Sequence, residues 1–270
     1  MLIDTHCHIN MMVKESFDTL LDQTEMARAQ EIIREATHDD VNFIINVGTS
    51  VIESQNCINI AQKSQHAYAT IGIHPNDCTV DWQADVKTLA RYAQDKEQHK
   101  IVGIGEIGLD RHYKDHNLPR QKDAFRAQIE LALEHDLAIV VHTRDAREET
   151  LNVLYEYRTN ISRGIIHCFS EDLSCAQEAI NMNFSIGIGG PITYPKNEDL
   201  RRIFTTLSLL NVVLETDAPF LPPQVIRGKQ NHPKYIKTIA EYIANLRNES
   251  YETVAHVTTQ NACKIFGINL

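Results

Sequence analysis

The feature of this sequence that most limits its fold is a regular alternation of short apolar segments with longer amphipathic ones. The short segments have the length and the β-branched content of buried strands. Eight of them follow one another: MLIDTH (1–6), FIINVG (43–48), YATIGIH (68–74), IVGIGE (101–106), LAIVVH (137–142), GIIHCF (164–169), FSIGIG (184–189) and VVLETD (212–217). Eight strands that alternate with helix-sized segments predict an α/β fold, the (β/α)8 or TIM barrel.

Three of the intervening segments have apolar residues three and four positions apart, as amphipathic helices do. They are EMARAQEIIREA (25–36), QKDAFRAQIELALEH (121–135) and HPKYIKTIAEYIANL (232–246). The rival fold, a doubly wound open sheet, ordinarily has a Gly-rich phosphate-binding turn after its first strand, whereas the first strand here runs into HCH. No long linker or low-complexity segment interrupts the chain, so we expect one TIM-barrel hydrolase domain over residues 1–270.

Composition narrows the class of protein. The formal net charge of −10 disfavours a broad basic surface for long duplex nucleic acid, but it leaves room for a small basic rim around one site. Six cysteines without a C-x-x-C pair indicate free thiols. No apolar run approaches the length of a membrane span, and the start MLIDTHCHIN lacks the basic and apolar regions of a signal peptide. We therefore expect a cytoplasmic protein that does not bind membranes, and a monomer.

Metal-binding residue types collect at the carboxyl ends of the predicted strands, where a barrel has its active site. Five of the 13 histidines lie at these ends, together with two acids. In strand order they are His6, His8, His74, Glu106, His142, His167 and Asp217. A single histidine at a strand end is usually only a hydrogen-bonded residue, but seven such side chains converging on one cleft indicate a metal centre.

Without His74, six ligand candidates remain, which exceeds the three protein ligands that one open catalytic metal needs. Two metals about 3.5–4 Å apart that share a bridging carboxylate fit the set better. The simplest partition gives one ion His6, His8 and Asp217, gives the other His142 and His167, and makes Glu106 the bridge.

The alternation of side chains along a strand explains the sequence HCH. His6 and His8 point the same way, so they can bind one metal as a pair at the mouth of the barrel. Cys7 then points outward, toward the helix layer, and we interpret it as a packing residue. The same interpretation applies to Cys168, which follows His167.

Taken in order and spacing, these motifs resemble the TatD family of metal-dependent deoxyribonucleases, which are amidohydrolase-like TIM barrels. The resemblance covers essentially the whole chain and is carried by HCH, GIHP, GEIGLD, HTRDA, IHCFS, ETDAPFL, RGKQNHP, NACKIFG and the helix pattern Gln121, Phe125, Gln128, Ala132. It implies a phosphodiesterase, typically a magnesium-dependent nuclease that trims DNA from a 3′ end. It also implies six metal ligands: His6, His8, Glu106, His142, His167 and Asp217.

Two positions distinguish this chain within that group. Relatives often have RNEP where this chain has QNHP (230–233), so Gln230 replaces a base and His232 replaces an acid at the rim. Many binuclear amidohydrolases bridge their metals with a modified lysine on the fourth strand. Here that position holds Glu106, which supplies a carboxylate without modification.

The predicted chemistry is hydrolysis by a water that two divalent metal ions activate. The ions would lower the pKa of the water, hold the scissile phosphate and neutralise charge in the transition state. Asp217 is the candidate general base and Glu106 the catalytic bridge. Magnesium or manganese suits carboxylates and water and is expected to support activity, whereas zinc, nickel or iron suits the imidazoles and is expected in purified samples.

Substrate contacts are predicted at the rim. Arg227 and Lys229 in the RGK segment are candidates for phosphate contacts, with an ordinary solvated loop as the equal alternative. Arg144 and Lys196 are weaker candidates of the same kind. His74 is expected either to contact substrate or to support a ligand from behind.

Three functions remain open on this evidence. The first is a 3′-to-5′ exonuclease that acts on single-stranded DNA ends. The second is another binuclear-metal hydrolase on the same barrel, acting on an amide or ester such as an aminoacyl-tRNA bond, because fold and ligands do not set the substrate. The third is a metal-binding barrel with a non-enzymatic partner role.

Overall fold

A single parallel sheet organises the protein in the computed structural model, which describes residues 1–14, 16 and 18–269. Each strand pairs with the next one in sequence, so the order runs from β1 to β8. The strands are β1 (Leu2–Cys7), β2 (Val41–Val47), β3 (Ala67–Ile71), β4 (Ile101–Asp110), β5 (Ala138–Arg144), β6 (Gly164–Ile166), β7 (Phe184–Ile188) and β8 (Val212–Leu214). The predicted (β/α)8 barrel is confirmed. The domain predicted over 1–270 ends at Leu270, which lies outside the described residues.

Helices connect the strands and cover the sheet. Those of the described residues are α1 (Ile9–Val13), α2 (Gln23–His38), α3 (Val51–Gln62), α4 (Trp82–Gln94), α5 (Lys96–His99), α6 (Leu118–Glu134), α7 (Arg147–Glu156), α8 (Leu173–Asn181), α9 (Glu198–Thr206), α10 (Ile236–Arg247) and α11 (Tyr251–Phe266). None of them combines the length and the apolar character needed to cross a bilayer. The helix expected from residue 232 begins only at Ile236, because Pro233 opens a short 3₁₀ turn, Pro233–Tyr235, before it.

Two apolar clusters form the core. The larger one packs the outer face of the strands against the helices. The smaller one joins residues of strands that are not neighbours, such as Ile45 of β2, Val140 of β5 and Val213 of β8, so it lies inside the barrel. Phe266 at the end of α11 packs into this inner cluster. The final helix therefore closes the barrel at the end opposite the strand termini that carry the predicted ligands.

The seam between β1 and β8 is closed mainly by hydrogen bonds from the residues that follow β8. The buried carboxylate of Asp4 accepts hydrogen bonds from the backbone N–H and the hydroxyl of Thr216, at 2.9 and 2.5 Å. Burial raises the pKa of Asp4 to about 8. One residue further on, the N–H of Asp217 donates to the carbonyl of His6 at 2.9 Å. These contacts place the ends of the first and last strands side by side, and with them two of the predicted ligand positions.

Candidate metal centre

The six predicted ligands converge at the carboxyl end of the barrel. His6 belongs to β1, Glu106 to β4 and His142 to β5, whereas the other three lie just after their strands: His8 after β1, His167 after β6 and Asp217 three residues after β8. Most are almost inaccessible: His6 is 0% exposed, and Asp217 is the most exposed of the five buried ones at 9%. Buried imidazoles and carboxylates require partners for their charges, which they can supply to one another or receive from a bound cation.

Glu106 stands between two pairs of imidazoles. Its Oε2 atom lies 3.4 Å from Nε2 of His6 and 3.7 Å from Nε2 of His8. Its Oε1 atom lies 2.8 Å from Nδ1 of His142 and 3.0 Å from Nε2 of His167. The two oxygens of one carboxylate therefore face two different sets of nitrogen donors.

Asp217 accompanies the first pair. Its Oδ1 atom is 3.7 Å from Nε2 of His6 and 3.5 Å from Nε2 of His8. Burial alone would raise the pKa of this carboxyl, but the contact with His8 and the nearby imidazoles hold the pKa below its usual value. Asp217 is thus an acceptor, and its partial exposure leaves it open to the cleft.

The hydrogen bond of His8 shows which of its ring nitrogens is free. Its Nδ1 lies 2.9 Å from the carbonyl oxygen of Val47, which can only accept, so Nδ1 carries the proton. The Nε2 lone pair then faces Nε2 of His6 at 3.1 Å. Two nitrogen donors that face each other beside two carboxylates fit a divalent cation, and a second group of donors, from Glu106, His142 and His167, is equally compact.

Asp110 is a residue of this site that sequence analysis missed. Strand β4 continues four residues past the predicted end at Glu106, to Asp110. The extension lies against β5 because Gly108, at φ +143°, has no Cβ to strike the carbonyl oxygen of His142. Oδ2 of Asp110 then lies 3.1 Å from Nε2 of His142. A carboxylate behind a histidine fixes which of its nitrogens is free, here Nδ1, which faces Glu106.

Glu215 occupies the corresponding position behind His167 and was also missed. Its Oε1 atom accepts the N–H of Cys168 at 2.6 Å and lies 3.5 Å from Nδ1 of His167. Gly187 makes room for it, because a Cβ there would come within 2.5 Å of Oε2. Among the described residues this Oε2 atom has no hydrogen-bond partner although it is buried. Both histidines of the second pair therefore have a carboxylate at the ring nitrogen that points away from Glu106.

The pKa shifts of the imidazoles differ in direction. Burial lowers the pKa of His6. For His167, burial acts in the same direction, but the charges of Glu106 and Glu215 outweigh it and raise the pKa well above its usual value. The pKa of His142 is likewise raised, against the effect of burial, by Asp110 and Glu106.

The two cysteines beside the ligands lie differently. Cys7 is fully buried in the larger apolar cluster, with its Sγ 3.7 Å from the carbonyl of Ala218. Cys168, expected to be a packing residue, instead lines the cleft. The expectation fails because β6 ends at Ile166, so strand alternation no longer governs the next residues, and Cys168 has a φ of +48°.

The candidate metal-binding groups open into a cleft of about 650 Å3. His74 and Arg144, two of the candidates for substrate contacts, line it, and Nε2 of His74 lies 3.7 Å from Glu106 Oε1. Arg227 is not among the described residues that line the cleft. Its guanidinium lies 3.8 Å from the ring centre of Tyr194, which does line it.

The other rim candidates lie outside the lining of the cleft. Lys229 and Lys196 are not among the described residues that line it. At the QNHP segment, His232 faces away: its Nδ1 accepts the N–H of Lys234 at 3.2 Å, and its Nε2 lies 3.5 Å from Glu35 of α2. The difference from the family pattern at His232 therefore affects contacts with α2 and Lys234, outside the cleft.

The fold and the site together define a metal-dependent hydrolase built on a TIM barrel. The chain belongs to the TatD family: the family profile described as "TatD related DNase" matches residues 3–267. The resemblance inferred from the motifs is confirmed.

Individual relatives agree with this placement over almost their full length. The chain is 36% identical over 269 residues to the uncharacterized metal-dependent hydrolase YabD of Bacillus subtilis, with 100% of both chains covered. It is 33% identical over 258 residues to the 3′-5′ ssDNA/RNA exonuclease TatD of Pantoea ananatis, covering 92% of this chain and 97% of that one. The crystal structure of YjjV, a TatD homolog from Escherichia coli, superposes with a TM-score of 0.89 at 26% identity and covers 99% of this chain and 98% of its own.

Proposed function

We propose that this protein is a deoxyribonuclease that removes nucleotides from the 3′ end of single-stranded DNA with the help of two divalent cations. The observation that carries the proposal is the position of Glu106. One of its oxygens faces His6 and His8, and the other faces His142 and His167. A carboxylate shared in this way is what a pair of cations needs as a bridge.

Each ligand set has a distinct composition. His6, His8 and Asp217 would hold one cation, and His142 and His167 the other. Bound divalent cations supply positive charge that lowers the pKa of water and stabilises the anionic phosphate in the transition state. Magnesium or manganese is the proposed activating ion, with the imidazoles also able to retain zinc, nickel or iron.

Asp217 is the proposed general base. Like Glu106, it has a lowered pKa and lines the cleft, and it is the more exposed of the two carboxylates, at 9% against 4%. A carboxylate in that position can accept the proton of a water that attacks a phosphate in the cleft. His74 and Arg144, from the opposite wall, are the proposed donors to the phosphate oxygens.

Two observations favour DNA ends as the substrate. The Pantoea relative is named as a 3′-5′ exonuclease on single-stranded DNA and RNA. The formal charge of −10 disfavours a broad surface for duplex, so a chain end that enters one cleft is the better match.

The test is hydrolysis of end-labelled single-stranded DNA by the metal-stripped protein, with magnesium, manganese, zinc, nickel or iron added back singly. We expect stepwise shortening from the 3′ end that EDTA abolishes. Matched controls are a 3′-blocked oligonucleotide, a duplex with flush ends and the Asp217→Asn variant. Intact DNA together with cleavage of an amide or ester panel by the metal-loaded protein would reject the nuclease and support the alternative hydrolase.

A further inference from the structure

Two further concavities adjoin the catalytic cleft on different sides. One, of about 370 Å3, follows β4 and shares Asn76 and Tyr113 with the cleft. The other, of about 550 Å3, follows β6 and shares Ser170 with it. A chain with its end at the candidate metal-binding groups can leave over either of these sides, and the chemistry of the two sides favours one path.

The wall shared with the concavity after β4 is suited to a nucleobase. Tyr113 is 52% exposed, although it is a large aromatic residue. Nδ1 of His116 donates to the carbonyl of Tyr113 at 2.8 Å, which ties the two residues of this loop together. Exposed aromatic rings stack on successive bases of single strands without regard to sequence.

This wall is also connected to the metal centre. The side chain of Asn76 donates to Oδ2 of Asp110 at 3.0 Å, and the same oxygen lies 3.1 Å from His142. Gln121 forms the floor of the concavity and holds the end of β4 through two hydrogen bonds to the backbone of Asp110, both 3.0 Å. Asn76, in the wall of the concavity, is therefore linked to the candidate ligand His142 through a single residue, Asp110.

The charges of the two concavities differ. The one after β4 is lined by Arg120 and His116 with Asp115 as its acid, and no ion pair of the described residues involves Arg120. The one after β6 is lined by three carboxylates: Asp199 is paired with Arg202 at 2.9 Å and Asp172 with Arg147, whereas no ion pair of the described residues involves Glu171. A polyanionic chain is repelled by the second concavity and not by the first.

We propose that the retained part of the DNA strand leaves the cleft across Tyr113 and occupies the concavity of His116 and Arg120. A base would stack on Tyr113, and the next phosphate would meet Arg120. On the other side of the mouth Phe220, 48% exposed, is left for the departing nucleotide. This inference rests on the proposed nuclease function and adds the direction of the strand.

The test compares kcat/KM for a dinucleotide and a tetranucleotide, 5′-labelled and single-stranded, in the metal-loaded enzyme. We expect the parent to favour the tetranucleotide about tenfold or more. Tyr113→Ala and Arg120→Gln should each lose most of that preference, and Tyr113→Phe should keep it because the ring remains. Matched controls are Tyr155→Ala, which removes another exposed ring, and Arg202→Gln in the acidic concavity.

The outcomes separate this inference from the function on which it depends. Cleavage of DNA by the parent without any length preference overturns the strand path alone. The strand path is also overturned if Arg202→Gln loses the length preference. It is likewise overturned if Tyr113→Ala and Arg120→Gln both keep the preference at a parental thermal midpoint. A parent that hydrolyses bis(p-nitrophenyl) phosphate but no oligonucleotide overturns the proposed exonuclease and this path with it.

Discussion

The two imidazole pairs at the centre of the barrel are supported in different ways. The β1–β8 set, His6, His8 and Asp217, is held by the backbone: His8 donates to a carbonyl of β2, and Asp217 is tied to β1 through its N–H. The β5–β6 set, His142 and His167, is instead backed by the carboxylates of Asp110 and Glu215. The β1–β8 set includes the carboxylate of Asp217 among its candidate ligands. In the β5–β6 set, the additional carboxylates lie at the ring nitrogens that point away from Glu106.

The difference predicts unequal affinities for cations. A carboxylate behind an imidazole makes it a more basic ligand, and its loss typically costs about 10–100-fold in metal affinity. The β5–β6 set has two such partners. The β1–β8 set has Asp217, which is the more accessible to the cleft and is also proposed to take part in proton transfer. We therefore expect the β5–β6 set to retain its cation longer against a chelator.

The largest effect is expected from Glu106→Gln. Among the described residues, the carboxylate of Glu106 contacts imidazoles of both sets, and an amide oxygen binds a cation more weakly than a carboxylate does. Cation content should fall at both positions, by more than about 10²-fold in affinity, and DNA turnover with it. Elemental analysis after dialysis against limiting manganese measures this. Retention of one cation at parental affinity would show that Glu106 serves a single set.

Asp217→Asn should separate catalysis from binding. Loss of a general base costs about 10²–10⁴-fold in rate, and weaker binding in the β1–β8 set adds to that loss. The fold and the cation of His142 and His167 should persist. Turnover, metal stoichiometry and the thermal midpoint are measured beside the parent. Near-parental turnover at full occupancy would contradict the role assigned to Asp217.

Glu215→Gln and Asp110→Asn test the support of the β5–β6 set directly. Each should weaken one cation about 10–100-fold and leave the other unchanged. Competition with a chromogenic chelator resolves the two affinities without any activity assay. Asp145→Asn is the matched control, because Asp145 is an exposed acid that pairs with His112 at the same end of the barrel. Equal weakening of both cations would mean that the sets are not independent.

The segment after β8 makes the stability of the fold depend on pH. Burial, with the charge of Lys234, lowers the pKa of His232 to about 4, below the usual 6.5. The unfolded chain therefore binds the proton first, so stability is full above pH 6.5 and is lost as the pH falls toward 4, by roughly 3 kcal/mol at most. His232→Asn, which can still accept the Lys234 N–H, should flatten that part of a thermal-midpoint profile. An unchanged profile would exclude His232 as the cause.

The smallest effect on metal content is expected from Cys7→Ser. Cys7 lies between two ligands in sequence but packs against the carbonyl of Ala218 on the other face of β1. A buried hydroxyl should lower stability by about 1–2 kcal/mol at most, with both cations retained. Loss of cations without loss of stability would mean that the face of β1 is misassigned.

Much of the fold and of the candidate metal centre could be predicted from the sequence. The eight strands follow from the apolar pattern, and the convergence of their ends follows from barrel geometry. The two supporting acids were also within reach, because Asp110 lies four residues after Glu106 and Glu215 two before Asp217, an even spacing that on a regular strand would put each pair on one face. Asp110 was missed because β4 was predicted to stop at its first acid, whereas Glu215 lay inside the predicted strand 212–217, of which only the last residue was considered as a ligand.

The parts that sequence could not supply depend on irregular backbone. Alternation fails at Cys168, which lies beyond a strand of only three residues. It is also broken in β1, where the pairing with β2 shifts between Asp4 and Cys7. The side on which Arg227 lies depends on a loop with a left-handed glycine, Gly228 at φ +89°. No periodic pattern describes such segments.

The seam between β1 and β8 has a consequence for biosynthesis. Asp4 and Thr216 are separated by 212 positions, and so the segment that covers the second edge of β1 is made long after β1 and β2. At about 5–20 residues per second, the free edge of β1 waits on the order of 10–40 s on the ribosome for the chain that covers it. Until then His6 and His8 have no Asp217 beside them. The candidate metal centre can thus be completed only after the segment that carries Asp217 has been made.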